Sequence, residues 1–213
     1  MLKVKPLIFL SKDIIKNNKL SSEGVLAYVA IRSVCQQDIP LHINSDYLCS
    51  LLMSGKDYVE NRKLKEKMNR GIQELIDKNM IVSLYQLNKH SFVADCNNLY
   101  FKTKKKNEQD VENTELFIKV FIQDIRTIMQ INNIQHDKMI VYFLHMVGSV
   151  NSRSHVGFTG FDTLANQSNI SRQTSYRFNQ LLEEENIVCF NTNVTPVKYC
   201  INAEVKDIKN FSF

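Results

Sequence analysis

The sequence has few of the residues that form tight loops, with six glycines and three prolines among 213 residues. It also lacks the GxxxxGKS, GxxxxGKT and GxGxxG segments, the glycine-rich loops that cradle the phosphates of nucleotides. Nucleotide-dependent chemistry therefore has no visible site. The composition, 44% hydrophobic and 23% charged, is close to that of globular proteins and excludes wholesale disorder.

Clusters of metal-binding residues are also missing from the sequence. No two of the five cysteines have CxxC spacing, and the five histidines form neither HExxH nor HxH. Structural zinc draws its four ligands from such close pairs, so we expect no metal and no cofactor. A nickase would need paired histidines and a recombinase an Arg-His-Arg cluster, each with a nucleophilic tyrosine, so we do not expect an enzyme. We expect the five cysteines to be reduced and buried; they are Cys35, Cys49, Cys96, Cys189 and Cys200.

No hydrophobic run is long enough to cross a membrane. The longest, Met139–Val147, has about half of the roughly 18 residues that a spanning helix needs. The apolar stretch near the N-terminus is too short for a signal peptide and has no small-residue cleavage site. We therefore expect a cytoplasmic protein without a membrane partner.

One strongly polar segment divides the chain. Lys102–Thr114 has a single apolar residue in thirteen and is typical of a linker. We predict one domain at residues 1–103 and another at 114–213, joined by a linker at 104–113. The first domain has 15 lysines and arginines against 10 acidic residues, whereas the linker has three of each and the second domain nine of each. The net charge of +5 therefore lies in the first domain and favours a polyanionic partner there.

The two predicted domains follow the same pattern. The apolar segments Pro6–Ile14 and Leu116–Ile125 both end in Asp-Ile, and each precedes a helix with a tyrosine, Tyr28 or Tyr142, at the matching place. A short strand-like piece, a short helix and a longer amphipathic helix follow in both, and an Ile-Val pair marks the change from helix to strand. This order predicts a duplicated module, with about ten extra residues at Met53–Arg62 in the first copy.

Two local features of the repeat lead to separate predictions. We expect N-caps at Ser21 or Ser22 in the first copy and at Asp137 in the second, because such side chains accept hydrogen bonds from the free amides of a first turn. The segment Phe117–Gln130 is compatible with a strand followed by a helix or with one continuous helix. Its β-branched residues favour the strand.

The order of elements in each copy is that of a winged helix. We predict a mainly α fold with small β wings, built from two winged-helix domains in tandem. Residues Phe161–Val188 resemble the helix-turn-helix of bacterial winged-helix DNA-binding proteins: Leu164 and Ala165 lie on the first helix, Ser168–Ile170 forms the turn, and Ser171 caps the second helix. A chain with two such modules is similar to plasmid replication initiators and phage replisome organisers of low-GC bacteria. It is short for an initiator and has no recognisable origin-melting domain.

The predicted DNA-reading helix is Arg172–Glu185. On a helical wheel its apolar residues face the core and its polar residues face away. In a major groove an arginine can bind two acceptors of guanine, a glutamine can bind adenine in the same way, and the helix N-terminus suits a phosphate. The predicted DNA-binding residues here are Ser171, Arg172, Gln173, Tyr176, Arg177 and Gln180. The acidic Glu183–Glu185 should point away from the duplex; the alternative for the whole surface is an ordinary solvated polar face.

The equivalent helix of the first domain, within Asn61–Lys78, carries charge rather than base-reading groups. Lys63, Lys67 and Arg70 are spaced i, i+4 and i+7 on the side opposite the apolar residues. Such cations add affinity for phosphates with little sequence information. A helix made soluble by its lysines is the equally weighted alternative.

The wings supply the remaining candidates. We predict wing turns at Tyr85–Ser91 and Asn191–Lys198, with Lys89 and Lys198 as phosphate contacts. A wing commonly lies along the DNA backbone or in the minor groove.

Together these features predict a sequence-specific, non-enzymatic protein that binds double-stranded DNA. It would act in transcription regulation or in replication initiation of a plasmid or phage-type element, and the sequence does not separate these roles. The near-neutral second domain keeps an alternative open, a protein–protein adaptor of a replisome or regulatory complex. The sequence also leaves open whether the chain forms a homodimer or binds replication or regulatory proteins.

Overall fold

The computed structural model of the chain describes residues 4–53, 62–88, 91–99, 117–151, 156–191, 193 and 197–201. Of these residues, 53% are helical and 24% lie in strands that form small sheets. The prediction of a mainly helical chain with small β elements is confirmed in part: the described residues form a mixed structure in which about half are helical and the strands form small sheets. The predicted linker at 104–113 lies outside the described residues.

The two halves of the described chain contain the same elements in the same order. Each half begins with a strand and two helices, continues with a short strand and two more helices, and ends with two strands. In the first half these are β1 (Leu7–Ser11), α1 (Lys12–Lys16), α2 (Ser22–Arg32), β2 (Leu41–Asn44), α3 (Ser45–Leu52), α4 (Arg62–Asp77), β3 (Val82–Asn88) and β4 (Ser91–Asp95). In the second half they are β5 (Phe117–Phe121), α5 (Ile122–Gln130), α6 (His136–Ser149), β6 (Val156–Gly157), α7 (Phe161–Gln167), α8 (Arg172–Glu184), β7 (Val188–Asn191) and β8 (Lys198–Ile201).

Sheet order and turn geometry repeat as well. The three-stranded antiparallel sheets have the orders β2-β4-β3 and β6-β8-β7, so equivalent strands occupy equivalent places. Asn18 and Asn133, which follow α1 and α5, both adopt a left-handed backbone, as do Asn79 and Asn186 after α4 and α8. Asparagine tolerates this conformation better than most residues. The repeat predicted from the sequence is therefore present in the topology.

A third sheet joins the two halves. It consists of β1 and β5, which pair antiparallel with Phe9 opposite Lys119 at the centre. Both strands alternate in the same way between buried and exposed residues, and the buried residues face each other as Ile8 with Val120 and Leu10 with Ile118. Equivalent positions therefore exchange across the pair, and a local two-fold axis passes between Phe9 and Lys119. The strand-then-helix alternative for Phe117–Gln130 is thereby confirmed.

One continuous hydrophobic core includes residues from both halves. The central helices α2 and α6 pack together, and their matched tyrosines, Tyr28 and Tyr142, are fully buried. Helix α4 crosses α2 at Gly71, where a side-chain Cβ would stand 2.1 Å from the carbonyl oxygen of Glu23. Only glycine allows this close approach. All five cysteines are free, and all are buried except the half-buried Cys189.

The two N-cap predictions have different outcomes. Ser21 caps α2, and its hydroxyl accepts a hydrogen bond from the amide of Gly24 at 3.0 Å. The prediction for Asp137 is wrong, because α6 begins at His136 with Gln135 as its N-cap. Instead of capping its own helix, the Asp137 carboxylate contacts residues of the other half of the chain.

The first wing also differs from its prediction. The predicted turn was to begin at Tyr85, but β3 continues to Asn88. All seven residues of β3 are exposed, and its apolar side chains Val82, Leu84, Tyr85 and Leu87 are 44–57% exposed. In the second half, Val188 of β7 is buried and Phe190 packs against Phe161. The halves therefore differ at this edge strand, which lies uncovered in the first half.

Candidate nucleic-acid interface

Helix α8 turns most of its polar residues away from the core. Its N-cap Ser171 accepts a hydrogen bond from the amide of Thr174 at 3.1 Å, as predicted. The buried residues have the i, i+3, i+4, i+7 spacing of an amphipathic helix and are Ser175, Phe178, Asn179 and Leu182. The predicted reading residues are all exposed, namely Arg172, Gln173, Tyr176, Arg177 and Gln180.

Arg172 is held in place by two neighbours. Its Nε lies 3.0 Å from Oδ1 of Asp162, which is on α7, and its Nη2 donates to the hydroxyl of Tyr176 at 3.2 Å. The guanidinium carbon is also 5.6 Å from the centre of the Tyr176 ring. The hydrogen bond to Tyr176, followed by the charge of Asp162, raises the pKa of the guanidinium above its usual value. Arg172 therefore stays charged and oriented at the start of α8.

An open groove lies beside the N-terminal half of α8. It has a volume of about 970 Å³, and its other side is the loop Asn133–Gln135 with Lys138 of α6. Nη2 of Arg177 donates to the carbonyl oxygen of Asn133 at 3.1 Å, so this arginine ties α8 to the loop. Gln173 and Gln180 line the groove.

The three predicted cations of α4 are in different environments. Lys63 is exposed. The ammonium of Lys67 contacts the carboxylate of Asp137, and these side chains are 29% and 4% exposed. Arg70 donates two hydrogen bonds to the carboxylate of Glu23, from Nε at 2.7 Å and from Nη2 at 2.8 Å. The charges of Lys67 and Arg70 are thus balanced within the protein, which makes Lys63 the stronger candidate for a phosphate contact.

Asp137 joins the halves from the start of α6. Its carboxylate accepts a hydrogen bond from the hydroxyl of Ser22 at 2.6 Å in addition to its contact with Lys67. Burial raises the pKa of the Asp137 carboxyl, but the hydrogen bonds from Lys67 and Ser22 outweigh it, and the pKa lies below its usual value. The N-termini of α2 and α6 therefore meet at a charged carboxylate.

The candidate residues of α4 and α8 border one surface. A second groove of about 630 Å³ includes Lys63 and Lys67 and runs along the start of α6. Ile134, Gln135 and Lys138 line both grooves, so the two grooves are contiguous. We call this surface the α4–α8 face: the N-terminal halves of α4 and α8 with residues 133–138 between them.

The far end of α8 is acidic. Glu183–Glu185 are exposed there, and Glu184 lies about 18 Å from Arg172 at the usual rise of 1.5 Å per residue. That this end points away from a bound duplex stays a prediction.

Only one of the two wing lysines can be placed. Lys198, the first residue of β8, is half-buried, and its Nζ is 5.8 Å from the centre of the exposed Phe158 ring. Its ammonium is therefore near the surface in a cation–π contact. Lys89 lies outside the described residues, and its phosphate contact stays a prediction.

Three residues of this region were not predicted from the sequence. Asn179 is a polar residue of α8 that is nevertheless buried, and its Oδ1 accepts a hydrogen bond from the Tyr142 hydroxyl at 2.8 Å. Its spacing from Phe178 and Leu182, which places it on the buried side of the helix, was the sequence signal that could have predicted its burial. Asp162 and Lys138 approach α8 from α7 and α6, and no local sequence pattern marks such contacts.

No protein-family model, curated protein or solved structure matches the chain. In the part of the chain that the structure describes, no helix combines the length and the apolar character that a membrane crossing requires. The α4–α8 face is therefore the basis for assigning a function.

Proposed function

We propose that the chain binds double-stranded DNA through the α4–α8 face and that each half is a winged-helix module. The observation that supports this most is the exposed N-terminal half of α8. Arginine and glutamine side chains that suit base edges stand there around a capped helix N-terminus that suits a phosphate. Helix α7 and a turn at Asn169, with a φ of 51°, precede α8 as in a helix-turn-helix. In each half the short strand before the helix pair also pairs with the last strand, so the three strands form one small sheet.

The two modules would work as a built-in pseudo-dimer. They share a core and a two-stranded sheet with a local two-fold axis, which favours an inverted pair of half-sites over a direct repeat. Half-sites of paired helix-turn-helix modules lie about one helical turn, ~34 Å, apart. Because α8 carries Arg172 and Gln173 while α4 carries Lys63, the second half would read sequence and the first would mainly bind phosphates.

The proposal also covers the biological role suggested by the resemblance to plasmid initiators and phage replisome organisers. Sites inside a replication origin would support a replication initiator. Sites that overlap a promoter would support a transcription regulator.

A selection from random duplex pools tests DNA binding directly. The full chain is expected to enrich a specific site and to bind it at least roughly 10³-fold more tightly than random duplex. Fluorescence anisotropy over a salt series should show affinity that falls steeply as salt rises, because bound phosphates release counterions. Glu184→Gln, at the far end of α8, is the matched control and should enrich the same site. Absence of enrichment together with salt-independent binding would contradict the proposal.

The second candidate is a protein–protein adaptor, and the exposed strand β3 favours it. Edge strands with uncovered apolar side chains are sites where another chain can add a strand. In that case Leu84→Asp and Leu87→Asp should abolish binding of the protein partner, whereas Arg172→Ala should not. A protein complex that is insensitive to salt, with no DNA bound, would favour this candidate over the first.

A further inference from the structure

Arg172 makes more side-chain contacts than its exposed position requires for solubility or stability. Its side chain and that of Asp162 are 67% and 61% exposed, and ion pairs in such exposed positions contribute little to stability. Tyr176 adds a hydrogen bond and a ring face to the same guanidinium. The arrangement is therefore better explained by the direction it gives to the arginine than by the stability it gives to the fold.

The remaining donors of Arg172 match the edge of a guanine. A guanidinium has five N–H groups. Tyr176 accepts a hydrogen bond from one of the two on Nη2, and Asp162 forms an ion pair at the Nε side of the guanidinium. Among the described residues, no partner engages either donor of Nη1 or the second donor of Nη2, and these donors lie at the end of the side chain. A bidentate contact with O6 and N7 of guanine needs one donor from each of two nitrogens, and this end presents them.

The support for Arg172 extends back to the sheet. The Tyr176 ring packs edge-on against Phe161 of α7, with ring centres 6.1 Å apart, and Phe161 packs edge-on against Phe190 of β7 at 5.3 Å. Asp162 follows Phe161 directly on α7. Both partners of Arg172 are therefore held by a row of aromatic contacts.

The first half repeats the ion pair with a different cation. Asp46, the second residue of α3, is equivalent to Asp162, the second residue of α7, and its Oδ1 lies 2.7 Å from Nζ of Lys65 on α4. A lysine ammonium is a point charge that cannot make the planar two-donor contact of an arginine. Both halves therefore have an aspartate at this position. Its cationic partner can make a bidentate contact with a base only in the second half, where that partner is Arg172.

We propose that Asp162 is a specificity-determining positioning residue, which holds Arg172 end-on for one guanine of the DNA site. This inference rests on the proposed DNA-binding function. Asp162 would also weaken binding to random duplex, because its carboxylate lies near the approaching phosphates and offsets the charge of Arg172. The fixed direction of Arg172 would raise the affinity for the specific site, whereas the Asp162 carboxylate would lower the affinity for random duplex.

The test compares Asp162→Asn with wild type in the full chain, using the duplex selected by the wild type and a random duplex. Asp162→Asn is expected to lower the ratio of specific to random affinity about tenfold, within the range that one bidentate base contact provides. Its affinity for random duplex should stay equal or rise. Asp46→Asn and Glu183→Gln remove the same charge elsewhere and should keep the ratio. Unchanged thermal unfolding of each variant shows that the fold is intact.

A double-mutant cycle that combines Asp162→Asn with Arg172→Ala separates the positioning of Arg172 from the effect of the Asp162 charge. In that background Asp162→Asn should no longer change the ratio, and replacing the recognised G·C pair should cost the wild type about tenfold but the variants little. Independent effects of the two substitutions, or an equal loss on both duplexes, would overturn the role of Asp162 while leaving DNA binding intact. Failure of the wild type to prefer any duplex would overturn the proposed function itself.

Discussion

Lys67 on α4 and Asp137 on α6 form an ion pair that links the two halves of the chain. The carboxylate is 4% exposed, whereas the lysine side chain is 29% exposed and keeps access to water. The partners are therefore unequal. Loss of the ammonium leaves a buried charge whose remaining side-chain donor, among the residues that the structure describes, is the Ser22 hydroxyl. Loss of the carboxylate leaves a lysine that can turn to solvent.

This asymmetry predicts how substitutions at the pair change the stability of the protein. Lys67→Ala should lower the free energy of unfolding by about 3 kcal/mol, because removal of one partner of a buried pair strands the other. Asp137→Asn should cost less, since the amide still accepts the hydrogen bond from Ser22. Denaturant unfolding measures both. Lys63→Ala, an exposed change on the same helix, is the control and should stay within about 0.5 kcal/mol of wild type. Similar losses for all three variants would rule out a linking role for the pair.

Lys63 is expected to contribute to DNA affinity without contributing to sequence preference. Lys63→Ala should reduce the slope of log affinity against log salt by about 1, the value for one phosphate contact. Arg70→Ala should change the slope less, because Glu23 already engages that guanidinium. Anisotropy titrations at several salt concentrations measure both slopes. A Lys63→Ala variant that lost preference for the selected site would show that this helix reads bases.

Gln173 is expected to read a base next to the one contacted by Arg172. It is exposed in the first turn of α8 and lines the groove. Gln173→Ala should relax the preference at one base position by about 1–3 kcal/mol and leave the other positions unchanged. Repeating the random-pool selection with this variant and with Glu184→Gln measures the change position by position. Equal weakening at every position would indicate a phosphate contact instead.

The local parts of this structure could be predicted from the sequence because their causes are local. Ser171 and the spacing of Phe178 and Leu182 predict the start and the buried side of α8, and both are confirmed. The apolar side of α4, opposite its predicted cations, is likewise buried at Leu64, Met68 and Leu75. Caps and amphipathic spacing act within a few residues, so a single sequence is enough to find them.

The relation between the halves could not be predicted in the same way. Lys67 and Asp137 are 70 residues apart, and nothing near either residue specifies the other. Asp137 was therefore interpreted as a cap, and Lys67 as a phosphate contact. The pairing of β1 with β5 likewise depends on packing across the whole chain. The same holds for Asp162, whose contact with Arg172 depends on the angle between α7 and α8.

His145 of α6 gives a prediction about pH that is independent of DNA. It is 1% exposed, and both ring nitrogens are buried with no hydrogen-bond partner among the described residues. Burial, followed by the nearby charge of Lys16, lowers the pKa of His145 from 6.5 to about 4. Between these values the unfolded chain binds a proton that the folded protein does not bind. Stability should therefore fall as the pH drops from 6.5 to 4, by about 3 kcal/mol from this residue at most, and no further below that range.

Denaturant unfolding at pH 7, 6, 5 and 4.5 would measure this loss. His145→Leu removes the titrating group, so its stability should depend less steeply on pH over this interval than that of the wild type. Some dependence should remain, because burial also lowers the pKa of His136. His42→Leu, a change at an exposed position of β2, is the control and should keep the wild-type dependence. If His145→Leu lost stability with falling pH as steeply as the wild type, His145 would not be the buried group that disfavours protonation.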